Sequence, residues 1–202
     1  MSTVLSAADP ARYRASDEII DADDPGVREL GSRLRESTPD DIDFARTAYQ
    51  WVRDEIAHSG DSGSWRTTLT AGETLREGTG LCYAKSHLLA AVLRGQGIPA
   101  GLCYQRLRTE SGRFVLHGLV AVFLDGAWHR QDPRGNRPGV DAQFSVAGER
   151  LAWQVRAGSG EYDYPQVFVT AAPEVVAALT GASRGQRPAL PTALARSSTP
   201  TL

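Results

Sequence analysis

Apolar residues in the first half of the chain recur every three or four positions, the spacing of one face of an α-helix. The pattern predicts four helices, over residues 25–36, about 38–56, 71–77 and about 82–95. Pro25 suits the first turn of the first helix, and a hydroxyl followed by acidic residues suits the start of the second. Gly95 or Gly97 is expected to end the fourth helix.

Beyond Pro99 the pattern changes to short apolar runs separated by polar or glycine breaks. These runs predict strands over residues 100–107, 113–124 and 127–132, a further strand within 140–156 and a short helix over 173–179. Asp125-Gly126 lies between two of the runs and is typical of a two-residue hairpin turn. Helices followed by an antiparallel sheet predict an α+β fold.

These elements are expected to form one domain over residues 1–180, because 202 residues with 41% hydrophobic content suffice for one core of ordinary size. Residues 181–202 contain few large apolar side chains and many small, polar, proline and arginine residues. Such a composition cannot bury enough apolar surface to fold, so we expect a disordered tail.

Charge and cysteine content restrict the function classes. The formal net charge is -2, which gives no reason to expect nucleic acid or an anionic membrane as a partner. No apolar run approaches the ~20 residues that span a bilayer, and the first residues lack the pattern of a signal peptide. Two cysteines in a chain of this length favour a reducing compartment. We therefore expect a cytoplasmic protein.

A metal site is not expected, because the two cysteines and four histidines form no C-x-x-C or H-x-x-x-H pair. No cofactor is expected either. The oligomeric state is left open by the sequence.

Cys82 is the candidate nucleophile. It lies at the start of a predicted helix, two residues after Gly80. A helix N-terminus lowers the pKa of a thiol, and its free N–H groups can stabilise an oxyanion. A free cysteine is equally often a buried core residue, and Cys103, in the middle of a predicted strand, is interpreted in that way.

The base that a thiol needs is predicted from geometry to be His117. His87 lies five residues after Cys82 on the same helix, about 140° around the axis, and cannot easily face the thiol. His58 is placed at the end of the second helix, where an imidazolium suits the helix dipole. His117 and His129 remain, both on the predicted hairpin.

Strand parity separates these two histidines. If Asp125-Gly126 is a two-residue turn, His117 and Asp132 share one face of the sheet as diagonal neighbours, whereas His129 points to the other face. The predicted site is therefore Cys82 as nucleophile, His117 as base and Asp132 as the residue that orients the histidine.

This order of residues, on a helix start and two adjacent strands, resembles the transglutaminase-like superfamily. Similar sequences occur in its small bacterial stand-alone members: GTGLCYAK at 78–85, LRGQGIPA at 93–100, LHG at 116–118, WHRQDPR at 128–134 and VRDEIAHS at 52–59. The motif-bearing part covers about residues 40–135. The resemblance implies a papain-like fold, in which N-terminal helices pack on an antiparallel sheet and the nucleophile starts a helix.

The resemblance also implies acyl transfer on an amide or peptide bond through a thioester. Hydrolysis by a peptidase or amidase is expected first; a transglutaminase-type acyltransferase and a non-catalytic module that keeps the fold are the alternatives. The substrate would be a peptide, a protein or a small amide, and calcium is not expected. Trp65 is expected to supply a second oxyanion donor through its indole N–H. His58 and Asp61 are expected to line the cleft, and Tyr83 and Arg134 to contact substrate.

Overall fold

The computed structural model describes residues 3–182 and 185–195. The helices are α1 (Pro25–Arg35), α2 (Asp41–Glu55), α3 (Ala71–Glu77), α4 (Cys82–Gly95) and α5 (Pro173–Thr180). The strands are β1 (Ala57–His58), β2 (Thr79–Gly80), β3 (Ala100–Arg108), β4 (Phe114–Leu124), β5 (Ala127–Gln131) and β6 (Tyr162–Asp163). An antiparallel sheet has the order β5-β4-β3-β6, and β1 pairs with β2 in parallel. The predicted α+β class is confirmed. No helix in the described ranges is long and apolar enough to cross a membrane.

Aspartates cap the first two helices. The Asp24 carboxylate accepts the N–H groups of Gly26 and Val27 at the start of α1. The Asp40 carboxylate accepts the N–H of Asp43, so α2 begins at Asp41 rather than near Thr38. In both cases the carboxylate satisfies N–H groups that have no partner within the helix.

Helix α4 lies at the centre of the molecule, and every residue from Cys82 to Arg94 is buried. It packs against α1, α2 and α3 and also against β3 and β4. The sequence predicted a single apolar stripe on this helix, but a helix covered on all sides has no solvent-facing side. Polar residues on α4 therefore need partners inside the protein.

Those partners are mostly backbone carbonyl groups. Arg94 donates from Nε to the carbonyl of Ala100, 2.9 Å away. Lys85 donates from Nζ to the carbonyl of Arg53, 3.0 Å away, and to that of Ile56. Because Arg53 and Ile56 lie at the end of α2, Lys85 fastens the start of α4 to the end of α2.

The hairpin of β4 and β5 has the register that the sequence predicted. Asp125 and Gly126 form its turn with φ values of 49° and 77°, which suits an Asp-Gly turn. The ladder continues to Val120 opposite Gln131 and ends there. Asp132 therefore follows directly after the last paired residue of β5.

The strand expected within residues 140–156 is wrong, because this segment is irregular. Side chains replace the hydrogen bonds that a neighbouring strand would make. Gln131 donates from Nε2 to the carbonyl of Ser145 (2.7 Å), and the N–H of Ala142 donates to Asn136 Oδ1 (2.7 Å).

Residues 185–195 lie within the predicted tail and contact the domain. The N–H of Leu116 donates to the carbonyl of Pro191 (2.7 Å), and the N–H of Leu194 donates to the hydroxyl of Tyr164 (2.8 Å). Residues 183–184 and 196–202 lie outside the described part of the chain. The single domain over 1–180 and the disorder of 181–202 stay predictions.

We expect Gly118→Ala to destabilise the protein by about 1–3 kcal/mol, because overpacking a rigid core forces side chains to move. A Cβ at Gly118 would lie 2.7 Å from Cδ1 of the buried Tyr83. Gly95→Ala is the matched control: a Cβ there would lie 3.5 Å from the carbonyl oxygen of Ala22, an ordinary van der Waals contact, and alanine favours a helix. Urea denaturation measures both. Equal stability of the two variants would contradict the expectation.

Candidate active site

Cys82 is the first residue of α4, and no side chain caps this helix end. The first intrahelical bond runs from the N–H of Lys85 to the carbonyl of Leu81 (3.0 Å), so the preceding N–H groups have no partner within the helix. The entry is tight: a Cβ at Gly80 would lie 2.9 Å from both Ala84 Cβ and Thr68 Oγ1. Glycine is therefore needed immediately before this turn into the helix.

His117 on β4 bonds to Asp132, with Nε2 and Oδ2 2.8 Å apart. Asp132 is fully buried, and its carboxylate also accepts the N–H groups of Ala152 (3.1 Å) and Arg134 (3.2 Å). Because Nε2 is engaged by the carboxylate, Nδ1 is the ring nitrogen left for the thiol of Cys82. The pairing of His117 with Asp132 that parity predicted is thus present in the structure.

The pKa values of Cys82 and His117 move in opposite directions. Burial alone would raise the pKa of the Cys82 thiol, but the charge of His117 and a hydrogen bond from it lower this pKa to about 6, with a smaller contribution from His58. Burial would lower the pKa of His117, but Asp132 and Cys82 together raise it to about 10. The lowered pKa of the thiol and the raised pKa of the imidazole both favour a thiolate beside an imidazolium, the reactive form of a cysteine nucleophile.

Asp132 remains ionised in spite of its burial. Desolvation would raise the pKa of its carboxyl, but the charge and hydrogen bond of His117 and the N–H groups of Ala152 and Arg134 hold this pKa below its usual range.

The other cysteine and two other histidines do not share these properties. Burial raises the pKa of Cys103 to about 12, so its thiol stays protonated at neutral pH. Burial lowers the pKa of His87 to about 4, and its Nδ1 lies 2.8 Å from the carbonyl of Leu69. His129 bonds to the carbonyl of Leu124.

His58 lies elsewhere than the sequence predicted. Helix α2 ends at Glu55, and His58 belongs to β1, where it pairs with Gly80 of β2. That pairing places its ring at the same cleft as Cys82, where it contributes to the lowered pKa of the thiol. The error arose because a long-range strand pair, rather than the helix end, determines the position of His58.

Asp61 lies beside His58 in a charged cluster with Arg134. The Arg134 guanidinium donates to both carboxylate oxygens of Asp61, at 2.8 and 2.7 Å, and its Nη2 lies 3.4 Å from His58 Nδ1. Arg134 is 3% exposed, so this arginine of the cleft lining is held inside the protein. The Nη2 group of Arg134 makes all three contacts, and they hold the guanidinium between Asp61 and the ring of His58.

Trp65 and Tyr83 have different surroundings. Trp65 lines the cleft over Cys82, and its backbone has a φ of 48°. Its ring packs against Gly60 so closely that a Cβ at that glycine would touch it. Tyr83 is buried, and its hydroxyl donates to the carbonyl of Leu116. Its ring therefore supports β4, while its backbone N–H lies in the free first turn of α4.

Sequence reasoning missed the segment that covers the histidine. The Trp153 ring packs edge-on against His117, with centroids 5.0 Å apart, and the Arg134 guanidinium lies 5.0 Å from the same Trp153 ring. The neighbouring Ala152 supplies the N–H that binds Asp132. No local spacing relates position 153 to position 117, and the segment was expected to form a strand.

A cleft of about 870 Å³ opens over this arrangement. Cys82, His117, His58, Trp65 and Trp153 all line it. We call it the thiol cleft. A nucleophile, a paired imidazole and free N–H groups thus face one cavity, an arrangement that can attack a carbonyl carbon and stabilise the resulting oxyanion.

Comparison with known families gives one match: the model of the transglutaminase-like superfamily matches residues 28–133. These residues carry Cys82, His117 and Asp132. A search of curated proteins finds no match to the chain.

Several solved structures are similar in fold. A candidate cysteine protease from Cytophaga hutchinsonii aligns over 60% of this chain and 40% of its own, with 19% identity and a TM-score of 0.51. The periplasmic domain of TgpA from Pseudomonas aeruginosa aligns over 54% and 42%, with 23% identity and a TM-score of 0.40. A TGase aligns over 60% and 35%, with 18% identity and a TM-score of 0.43. The alignment thus spans less than half of each of these three structures.

Iodoacetamide at mildly acidic pH should label wild-type protein and Cys103→Ala at similar rates, because only Cys82 has a thiol pKa near 6. Cys82→Ala should lose the fast label. Mass spectrometry of tryptic peptides identifies the modified residue. Fast labelling of Cys103 would show that the nucleophile is assigned incorrectly.

Replacing Asp132 by Asn should shift the acid limb of Cys82 alkylation upward by about one pH unit or more, because His117 loses the charge that keeps it protonated. The alkylation rate is measured from pH 4 to pH 10, roughly the span between the ordinary carboxyl and amine values. Asp125→Asn in the exposed turn is the matched control and should leave the profile unchanged. Circular dichroism checks that both variants fold.

Proposed function

The chain belongs to the transglutaminase-like superfamily, as its motifs predicted, and on this basis we propose that it is an enzyme that transfers acyl groups from amide or peptide bonds through a thioester on Cys82. The observation that carries the proposal is the lowered pKa of the Cys82 thiol beside His117, which is itself bonded to a buried carboxylate.

In the first step the Cys82 thiolate attacks the carbonyl carbon of the substrate. A bond forms between Sγ and that carbon, and the carbonyl oxygen takes up negative charge next to the free N–H groups of the first turn of α4. The C–N bond then breaks, and the proton on His117 passes to the departing amine. The products are an acyl-thioester and a free amine.

In the second step a water molecule enters the thiol cleft. His117, now neutral, removes a proton from this water while its oxygen attacks the thioester carbonyl. The S–C bond breaks, a carboxylic acid leaves, and the thiolate and imidazolium are restored. Asp132 keeps the imidazole oriented and stabilises its charge in both steps. This chemistry needs no cofactor.

Hydrolysis is the first choice because the thiol cleft is open to solvent, where water greatly outnumbers any amine. Transfer to an amine is the second candidate: an acceptor bound in the same cleft would replace water and yield a new amide. A non-catalytic module is disfavoured, because a buried thiolate–imidazolium pair costs desolvation energy that a binding surface has no need of.

Two side chains are candidates for the second oxyanion donor. His58 lines the thiol cleft with Cys82 and contributes to the lowered pKa of its thiol, and Arg134 and Asp61 hold its ring. Trp65 lines the cleft with its indole. We consider His58 and Trp65 equal candidates for this donor. Asp61 is the carboxylate that would position His58.

We also propose that the enzyme acts in the cytoplasm on a peptide, a protein or a small amide. The two cysteines are free and buried, which suits a reducing compartment. Cell fractionation with an antibody against the chain tests the location.

Incubation with peptides and with glutamine amides, with and without a primary amine, tests the reaction. Mass spectrometry should detect amine release and a carboxylic acid product that carries ¹⁸O when the reaction runs in labelled water. An amide formed only in the presence of the amine would favour the transferase.

Cys82→Ser serves as the inactive control for both products. In the same assay His58→Gln and Trp65→Phe are compared, and loss of the true oxyanion donor should lower kcat about 10²–10³-fold with little change in KM. Full activity of Cys82→Ser would overturn the proposed mechanism.

A further inference from the structure

The thiol cleft is positively charged although the chain as a whole is not. Six arginines line it: Arg108, Arg113, Arg134, Arg137, Arg156 and Arg187. Three acidic residues also line it: Asp61, Glu110 and Glu161. The formal net charge of the whole chain is -2, so positive charge is concentrated at the one cavity that contains the nucleophile.

Two of the acidic residues are already neutralised. Asp61 accepts two hydrogen bonds from Arg134, and Arg137 lies 3.7 Å from the same carboxylate. Glu161 is paired with Arg156. Glu110 is the one acidic side chain of the described lining with no such partner, so most of the remaining arginine charge is uncompensated.

Arg113 and Arg187 are the arginines most available to a ligand. Both are exposed, and neither forms an ion pair with a carboxylate in the described residues. Arg113 ends the loop between β3 and β4, while Arg187 lies over the ring of Trp65, with 5.1 Å between the guanidinium carbon and the ring centroid.

A second cavity extends the charged surface beyond these two residues. It measures about 500 Å³, and Arg113, Arg187 and Leu190 line both it and the thiol cleft. Arg106 also lines this second cavity, and no acidic residue does among those described. A chain bound at Cys82 and continuing past Arg113 would thus meet arginines with no competing carboxylate.

We propose that the substrate is an acidic peptide whose carboxylates are bound by Arg113 and Arg187 while its scissile amide lies at Cys82. This rests on the proposed function, since it names the substrate class of the same site. A guanidinium can bind a carboxylate through two parallel hydrogen bonds. Arg134 in the same cleft already binds a carboxylate, since its Nη2 donates to both oxygens of Asp61. Carboxylates are the anionic groups of an unmodified peptide, on its aspartate and glutamate side chains.

The first test compares two alkylating reagents of similar size that differ in charge: iodoacetate is an anion, and iodoacetamide is neutral. The anionic reagent should be favoured in wild-type protein, and Arg113→Gln/Arg187→Gln should lower the ratio of its rate to that of iodoacetamide about three- to tenfold. Arg12→Gln/Arg33→Gln removes the same charge from exposed positions outside the cleft and should leave the ratio unchanged. An unchanged ratio in the cleft variant would overturn the proposal.

The second test does not depend on thiol reactivity. Cys82→Ser protein is titrated with a rhodamine-labelled glutamate-rich peptide and with its glutamine counterpart, and binding is followed by anisotropy. The acidic peptide should bind at least tenfold more tightly, and only the cleft variant should lose this preference. Equal binding of the two peptides, or displacement of the acidic one by a lower concentration of single-stranded oligonucleotide, would contradict the inference. The two tests also distinguish the substrate class from the mechanism. If Cys82 is not alkylated in the first test but the acidic peptide is still preferred in the second, the thiol mechanism is refuted and the acidic substrate class is not.

Discussion

The burial of α4 from Cys82 to Arg94 is the constraint on which the rest of the structure depends. A helix packed on every side cannot tilt or shift without opening the core, so its first residue, Cys82, has a fixed position. Gly80 and Gly118 allow the close approach of the chain at that end, because a Cβ at either would lie within 3 Å of a neighbouring side chain. Lys85 also links α4 to the end of α2 through a hydrogen bond to the carbonyl of Arg53.

The reactivity of the site follows from how charge is held around that fixed thiol. A buried thiolate is costly unless a cation lies beside it, and a buried imidazolium needs its own carboxylate. Asp132 meets this need because two backbone N–H groups and the histidine share its charge. Asp61, Arg134 and His58 form a second hydrogen-bonded cluster in the lining of the same cleft. Each pKa shift therefore depends on contacts between distant parts of the chain.

The same thioester chemistry serves hydrolysis and transfer to an amine, so the residues next to Cys82 do not separate these activities. Which of the two activities occurs depends on which molecules the thiol cleft can bind. Its arginines point to an acidic donor, whereas the net charge of the chain gave no reason to expect nucleic acid or an anionic membrane as a partner. An average over the whole surface cannot describe a cavity where charge of one sign is concentrated.

Local sequence determined the helices, the hairpin register and the residues of the candidate site. The periodicity of α2, the Asp-Gly turn and the glycines before Cys82 act over a few residues, and for this reason they can be read along the chain. Tertiary structure alone decided the place of His58, the burial of Arg134 and the packing of Trp153 on His117. Trp153 was expected to lie in a strand and packs on His117 instead, because its contacts are with residues far away in the sequence, and no local pattern indicates those.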